Sequence, residues 1–338
     1  MTRDDRLIEP LLANDEVKMW FGRLLARAER RDLLGIHGSY DHIYENVIGK
    51  CFILGLNANI PRFHEAMGFV LDFLEVQIAK THSPKLTFDK MYQYRDNETL
   101  LVCYLPFLRY ANEPAVRYVA EKRINLVYEF TQLGRYDIYP SDRRFPGAHK
   151  AWKPYIVDPQ LYADGNIRLP SIHDLILYAG IYPDLDEEMR RKVEVTVGWI
   201  FGEGYSQINN TLYYYAADDP SYRSKAINDK VILPSVEAIR KGEHQARDLL
   251  YLSFILSHFR AARQSTWFAA LRALLATYRT SEGRYLFPRE MIREKKDSYV
   301  IYGGHMNVGE PRRPRLHAEL LSTYWAERIL ANDAGTDF

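Results

Sequence analysis

Segments with helical periodicity alternate along the chain between two kinds, and this alternation restricts the fold more than any other feature of the sequence. One kind, as in residues 43–56, is apolar on nearly every face, whereas the other, as in residues 61–79, is apolar on one face only. A helix that is apolar all round must be contacted on all sides, while an amphipathic helix can face water. We therefore expect two layers of helices with the apolar helices inside. The other apolar helices are predicted at 98–110, 172–181 and 248–259, the other amphipathic ones at 17–34, 114–133, 185–201 and 266–278, and a last mixed helix at 315–330.

A short pattern, Thr-x-x-Gly-Arg-Tyr, follows two of the amphipathic helices. It occupies residues 131–136 and 280–285, and a degenerate copy lies at 202–205. We expect each glycine to end its helix in the left-handed conformation and each tyrosine to pack on the helix end. Recurrence after the same class of helix indicates a repeated helix pair. The sequence thus predicts an all-α fold, an α/α toroid of five to six helix hairpins with inner and outer helix rings, in a single domain of residues 1–338.

Two segments interrupt the helical pattern and are predicted to be long ordered loops. Residues 137–170 and 206–243 are rich in Pro, Gly, Asn, Asp and aromatic residues. Tyrosine is unusually common, with 25 residues, and most of these side chains are expected to fill seams between helices. A short β-hairpin is expected between residues 285–287 and 299–302.

Charge and cysteine content exclude several classes of protein. The net charge is +1, so no strong field favours nucleic acid or an anionic membrane. The two cysteines, Cys51 and Cys103, lie in apolar helices and are expected to be buried thiols rather than a disulfide. No secretory signal and no membrane span is recognised, which predicts a soluble cytoplasmic protein with neither a nucleic-acid nor a membrane partner. The oligomeric state is left open.

The repeat over roughly residues 40–330 resembles the terpenoid cyclase and protein prenyltransferase group of α/α toroids. The resemblance is strongest where the helix from residue 267 runs into Glu282-Gly283-Arg284-Tyr285. It implies a ligand cavity at one mouth of the inner ring, near the N-termini of the inner helices, and makes His317 similar to a prenyltransferase zinc ligand. The Asp-x-Asp-Asp and Asp-Asp-x-x-Asp motifs of that group do not occur in this sequence. No metal site is predicted, and no cofactor is assigned.

Polar residues stand at the predicted starts of the apolar helices, where a closed ring would bring them together at one mouth. For Asp41 and Asp248 taken singly, helix capping is the better explanation. Histidine is not a capping residue, and it titrates near neutrality, so it can act as an acid or a base. The candidate catalytic residues are His42, His173, Asp174, His317 and Glu319, and the candidate ligand-binding residues at these starts are Asp41, Glu98 and Asp248.

A glycine-containing loop before the last helix is the second candidate region. Gly303 and Gly304 permit close approach of a ligand to the backbone. The arginines that follow form a cationic cluster suited to an anionic group. The candidate ligand-binding residues here are His305, Arg312, Arg313 and Arg315.

These residues support three functions. The first is an enzyme that binds a small or mid-sized ligand in the toroid mouth and uses His and carboxylate side chains for acid–base chemistry, with terpenoid-like substrates implied by the resemblance alone. The second is a carbohydrate-active α/α-barrel enzyme, whose aromatic residues would stack on a glycan. The third is a non-catalytic toroid that binds a ligand or peptide through its aromatic loops. Whether the protein is an enzyme is left undecided.

Overall fold

The predicted helices account for most of the regular structure in the computed structural model. The structure describes residues 5–33, 35–82, 88–142, 144–162, 165–217, 223–227, 230–242, 246–309 and 314–333. Within these ranges the fold is mostly helical, which confirms the all-α class. The helices are α1 Asp5–Ala13, α2 Asp15–Arg30, α3 Tyr44–Ile53, α4 Pro61–Thr81, α5 Phe88–Val102, α6 Pro114–Thr131, α7 Ile172–Ile181, α8 Glu187–Ile200, α9 Val236–Lys241, α10 Ala246–Leu256, α11 Arg260–Arg263, α12 Thr266–Thr277, α13 Arg289–Ile292 and α14 Pro314–Asp333.

Burial separates the helices into the two kinds that the sequence predicts. Every residue of α3 is buried, and so is every residue of α7 except Gly180. In contrast, α2 buries one stripe, Val17, Trp20, Phe21, Leu24 and Arg27, at the three- and four-residue spacing of one helix face.

The helix that contains Glu98 starts ten residues earlier than predicted. It was expected to begin at Glu98, but α5 runs from Phe88 to Val102. Glu98 therefore lies near the C-terminal end of its helix, and the prediction that it stands at a helix start is wrong. Residues 88–97 are mostly polar, so no apolar stripe marks them as helical.

Both full copies of the glycine pattern form turns, but only the first lies at a helix end as expected. Gly134 comes three residues after the last residue of α6, whereas Gly283 lies six residues beyond the end of α12, in a turn between the bridged residues Arg279 and Tyr285. Gly134 and Gly283 have positive φ angles, +62° and +82°, a region that favours glycine. The degenerate copy differs, because Gly202 has φ −69° and begins a 3₁₀ segment, Glu203–Gln207. Here the lack of a side chain on Gly204 leaves room for the ring of Tyr136. A Cβ atom on Gly204 would lie 2.3 Å from the ring of Tyr136, which stacks on Trp199.

The β-structure lies elsewhere than expected. The hairpin predicted between residues 285–287 and 299–302 does not form, because residues 300–302 are a 3₁₀ turn. Instead β1 (Tyr213–Tyr215) pairs antiparallel with β2 (Ser224–Ala226), inside a predicted loop, with Tyr214 opposite Lys225. Aromatic contacts hold this region, and the Trp152 ring stacks on Tyr213 at 4.6 Å.

The chain divides into two compact units. The first unit comprises residues 1–71, 107–110 and 234–338, and the second comprises residues 72–106 and 111–233. In the first unit, α2 packs on α3, α9 on α12, and α10 against α13 and α14. In the second unit, α6 packs on α5, α7 and α8. The single domain stays a prediction. Among the described residues, none of the helices combines the length and the apolar character that crossing a bilayer requires.

Candidate functional site

The first unit contains a fully buried lysine in the middle of α3. Lys50 Nζ lies 2.8 Å from Glu16 Oε1 and 3.2 Å from Glu294 Oε2. It also donates to the backbone carbonyls of His305, at 3.1 Å, and Asn307, at 2.6 Å. Removing a cation from water costs several kcal/mol unless it is paired and hydrogen-bonded, and here both conditions are met. Lys50 therefore joins α2 and α3 to the segment of residues 294–309.

His305 extends this cluster. Its Nδ1 lies 2.8 Å from Glu294 Oε1, and its Nε2 lies 2.8 Å from the carbonyl oxygen of Ser298. Both partners are hydrogen-bond acceptors, so the ring bridges Glu294 and the backbone of the same segment. Burial would raise the pKa of Glu294, but the bond from His305 and the charge of Lys50 outweigh burial and hold that pKa below its usual value.

Two further predicted site residues meet the same segment. Asp297 N donates to Asp41 Oδ1 at 2.7 Å, and His317 Nε2 lies 2.7 Å from Asn307 Oδ1. The structure thus brings Asp41, His305 and His317 together, as parts of one polar network. We call Asp41, Lys50, Glu294, His305 and Asn307 the clamp, because each bonds either to another of these residues or to the backbone of residues 294–309 and so fastens that segment.

The remaining candidates of the first unit are not in the clamp. The His42 ring stacks on Tyr40, and its carbonyl accepts a hydrogen bond from Arg27. Glu319 lies 3.5 Å from Arg284 and 3.7 Å from Arg315, measured between carboxylate oxygen and guanidinium nitrogen. Asp248 is half-buried in the first turn of α10. Arg312 and Arg313 lie outside the described residues.

In the second unit, Asp174 is bound to Arg123. Arg123 Nε and Nη2 donate to the two carboxylate oxygens of Asp174, both at 2.8 Å, and Nη1 donates to the carbonyl of Ile167 at 2.6 Å. Burial would lower the pKa of Arg123, but the carboxylate of Asp174 reverses this and holds it above its usual value. Asp174 also forms a capping box with Ser171 at the start of α7. Its oxygens therefore position an arginine and cap a helix.

The second unit also contains two other residues predicted from the sequence, His173 and Glu98. His173 is fully buried in α7. Burial raises the pKa of the Tyr178 phenol far above its usual range, and the nearby Asp174 carboxylate adds to this, so the phenol keeps its proton. Glu98 is fully buried and accepts a hydrogen bond from Lys122 Nζ. Burial lowers the pKa of Lys122, although the charge of Glu98 opposes it.

A cavity of about 30 Å³ lies beside the Arg123–Asp174 pair. Its wall comes from α5, α6, the segment of residues 165–171 that ends at the N-cap of α7, the residue before β1 and the segment that follows β2. Apolar residues cover part of the wall. The described polar side chains that line it are Arg95, Asp96, Thr99, Arg123, Asn166, Ser171 and Lys230. Three of these seven are cationic and one is a carboxylate, and Asp174, which is not among them, balances the charge of Arg123. One cation of the wall thus exceeds the carboxylates of the described residues at this place.

Lys230 is the cation whose surroundings differ from those of the others. Its Nζ donates to the carbonyls of Tyr205, at 3.3 Å, and Ile208, at 2.5 Å, and lies 4.6 Å from the centre of the Tyr205 ring. Within the described part of the chain, no carboxylate oxygen lies within 4.0 Å of Nζ. Burial lowers the pKa of Lys230 to about 8, because burial penalises the charged ammonium form.

An open groove adjoins the cavity. It has a volume of about 280 Å³, and Arg95 and Asn166 line both the groove and the cavity. The other walls of the groove are aromatic, aliphatic and polar, with Tyr118, Leu126 and Lys122 among them. The two spaces thus form one recess in the second unit, with an enclosed inner end and a wider, mostly polar approach. We call the cavity and the groove together the recess.

Sequence reasoning missed most of the residues that form these two clusters. A signal existed for Lys50, because a lysine inside an apolar helix must find buried partners. No local signal existed for Arg123 or Lys230, since each stands in a segment with other polar residues and owes its burial to distant contacts. No family model, curated protein or solved structure matches this chain. The geometry of the two clusters is therefore the basis for a functional interpretation.

Proposed function

We propose that this protein binds a small anionic ligand in the recess of the second unit. The observation that carries the proposal is the cavity wall, where the described lining residues include Arg95, Arg123 and Lys230 and one carboxylate, Asp96. A cationic surface that is shielded from water attracts an anion more strongly than the same charges do in solvent. The groove, at about 280 Å³, approaches the lower end of the range for small-molecule sites. The anionic group would occupy the cavity and the rest of the ligand the groove.

Lys230 supports the proposal most directly. An ammonium group has three N–H donors, and two of them point to the carbonyls of Tyr205 and Ile208. A ligand oxygen would accept the third and supply the counter-charge. Arg123 contributes less, because the carboxylate of Asp174 already balances its charge. The recess is thus a site in which the ligand completes the coordination of a buried cation.

Binding is better supported than the acid–base catalysis predicted from the sequence. Both oxygens of Asp174 accept hydrogen bonds from Arg123, and one of them also accepts from Ser171. Glu319 lies beside two arginines, and His317 is bonded to Asn307. These contacts give each side chain a structural partner. The proposal therefore assigns no reaction to the site.

The affinity for an anion should depend on pH through Lys230. Its pKa of about 8 means that the ammonium form, which binds an anion, is lost as pH rises. We expect the affinity for a small organic anion, measured by isothermal titration calorimetry, to be constant below pH 7 and to fall as pH rises through 8. In Lys230→Met this dependence should disappear. Equal affinity from pH 6.5 to pH 9 in the wild-type protein would contradict the proposal.

We further propose that the helices form the α/α toroid predicted from the sequence. The support is the alternation of enclosed helices, such as α3 and α7, with one-sided helices such as α2. Two concentric rings are a simple way to enclose one set and leave the other in contact with water. The terpenoid-like and carbohydrate-active functions weighed from the sequence have no specific support in the clusters described above.

A further inference from the structure

Helix α14 is apolar on two opposite faces. One face packs on α10 and α13 of the first unit, and its buried apolar residues are Leu321, Trp325, Ala326 and Ile329. On the other face Leu316, Leu320 and Tyr324 follow one another at intervals of four residues, and they are exposed by 39%, 57% and 37%. A helix that is apolar on opposite sides is normally enclosed on both. We call Leu316, Leu320 and Tyr324 the α14 stripe.

The ring of Tyr324 in this stripe is held in place by its own helix. Arg328, one turn further on, donates from Nη1 to Tyr324 Oη at 2.5 Å, and its Cζ atom lies 5.4 Å from the centre of the ring. A ring that is already held loses little conformational entropy when another protein surface packs on it. Tyrosine is also enriched among the residues that contribute most to protein interfaces. The α14 stripe is thus suited to contact with a protein.

The charges at the two ends of α14 favour a particular occupant. The first turn contains Arg315, whose side chain is 87% exposed, and it has no acidic residue. The last turn has no basic residue, and the helix ends at Asp333. The helix dipole favours the opposite arrangement, with negative charge at the start and positive charge at the end. A second α14 that runs antiparallel places its negative end beside the positive start of the first, so both ends gain a complementary charge.

We propose that the α14 stripe is the interface of a homodimer, in which α14 of one copy packs antiparallel on α14 of a second copy. Such an interface is self-complementary, because the same residues contact one another from both sides of a two-fold axis. The axis passes near Leu320, the middle residue of the stripe, and Leu316 of each copy packs on the partner's Tyr324. One 20-residue helix is about 30 Å long, so the interface is small and the dimer is expected to be weak.

Sedimentation equilibrium of the whole protein tests the association. We expect the mass to rise with concentration from 39.6 kDa for the monomer toward twice that value. Leu320→Lys would place two ammonium groups opposite each other at the axis and should raise the dissociation constant at least about tenfold. Leu133→Lys is the matched control in the second unit, because Leu133 is exposed by 59% and Leu320 by 57%. This control should leave the dissociation constant unchanged.

Cysteine cross-linking tests the antiparallel arrangement. Leu320→Cys, beside the axis, should give a disulfide-linked dimer under mild oxidation, since a disulfide requires Cα atoms within about 7 Å of each other. In Leu316→Cys the two Cα atoms would lie about 12 Å apart along the helices, so no link should form. A parallel pair would link both variants. The native thiols Cys51 and Cys103 are buried and should not react.

Four outcomes would overturn the proposal. They are a monomer mass at every concentration, a dimer that persists in Leu320→Lys, an equal loss of the dimer in Leu133→Lys, and equal cross-linking of Leu316→Cys and Leu320→Cys. None of these measurements involves a residue of the recess, so the proposed function does not depend on them.

Discussion

Lys50 and Lys230 are both buried lysines, and their surroundings explain why only one of them suggests a binding site. Lys50 Nζ lies within 3.2 Å of two carboxylates, so the protein itself balances its charge. Lys230 has carbonyl oxygens and an aromatic ring around it, which solvate a cation without balancing its charge. A buried cation with balanced charge holds a structure together, whereas one without a counter-ion attracts an anion.

The Arg123–Asp174 pair should be essential for the stability of the second unit. Asp174→Asn keeps the shape of the side chain but removes the charge that balances the buried guanidinium. Breaking a buried pair on one side typically costs about 3–5 kcal/mol, and we expect the free energy of unfolding in urea to fall by about that much. Asp142→Asn, at an exposed pair with Arg144, is the matched control and should leave it nearly unchanged, because water screens exposed ion pairs. If Asp174→Asn and Asp142→Asn lower the free energy of unfolding equally, burial of the Arg123–Asp174 pair does not increase its contribution to stability.

Gly204, in the degenerate copy of the glycine pattern, should not tolerate a side chain. In Gly204→Ala the new Cβ would overlap the Tyr136 ring, and overpacking of this kind costs about 1–3 kcal/mol. Gly198→Ala, in α8, is the control, since a Cβ there meets nothing within 4 Å, and it should leave stability unchanged or raise it by up to about 1 kcal/mol. Thermal unfolding measures the stability of both variants. If Gly204→Ala is as stable as Gly198→Ala, the packing of Tyr136 is not as described.

At the scale of elements, apolar periodicity predicted the helices well, because the hydrophobic effect acts on each helix face by itself. The predicted segment 172–181 coincides with α7, and residues 266–278 match α12 to within one residue. The start of α5 was missed, since its first ten residues are mostly polar. The hairpin of β1 and β2 was missed for a related reason. Its strands have three residues each, too few for an alternating pattern to stand out.

The segment of residues 294–309 should loosen in acid through Glu294. The clamp holds the pKa of Glu294 below its unfolded value, so its stabilising effect is complete above about pH 4.5 and is lost as pH falls through the folded pKa. We expect the free energy of unfolding to decrease below pH 4.5 less steeply in Glu294→Gln than in the wild type. Glu290→Gln, at an exposed glutamate of α13, should retain the wild-type slope. If the free energy of unfolding falls equally steeply with decreasing pH in the wild type and in both variants, Glu294 does not have this role.

At the scale of the whole molecule, the sequence indicated which residues begin helices but not which of them lie together. Asp41 and His305 meet in the first unit although 264 positions separate them. Asp174 belongs to the second unit, where its partner Arg123 was not predicted. Such pairings depend on contacts between distant segments, which one sequence does not encode in any local pattern. The recess was missed for the same reason, because five separate segments form its cavity.

The toroid proposal can be tested by small-angle X-ray scattering. A compact protein of 338 residues has a radius of gyration of about 20 Å, and a closed double ring should lie close to this value. An open array of helix pairs would instead give a larger radius and a distance distribution with a long tail. A radius of gyration well above 20 Å for the monomer would therefore contradict the toroid, and it would leave the recess unaffected.

The most direct test of the binding site is a crystal structure of the protein grown or soaked with benzoate, which serves as a small organic anion. We predict electron density for the carboxylate in the cavity, with one oxygen within hydrogen-bond distance of Lys230 Nζ and the ring in the groove that Arg95 and Asn166 share with the cavity. Benzoate bound elsewhere, or a cavity that holds only water at saturating benzoate, would contradict the account.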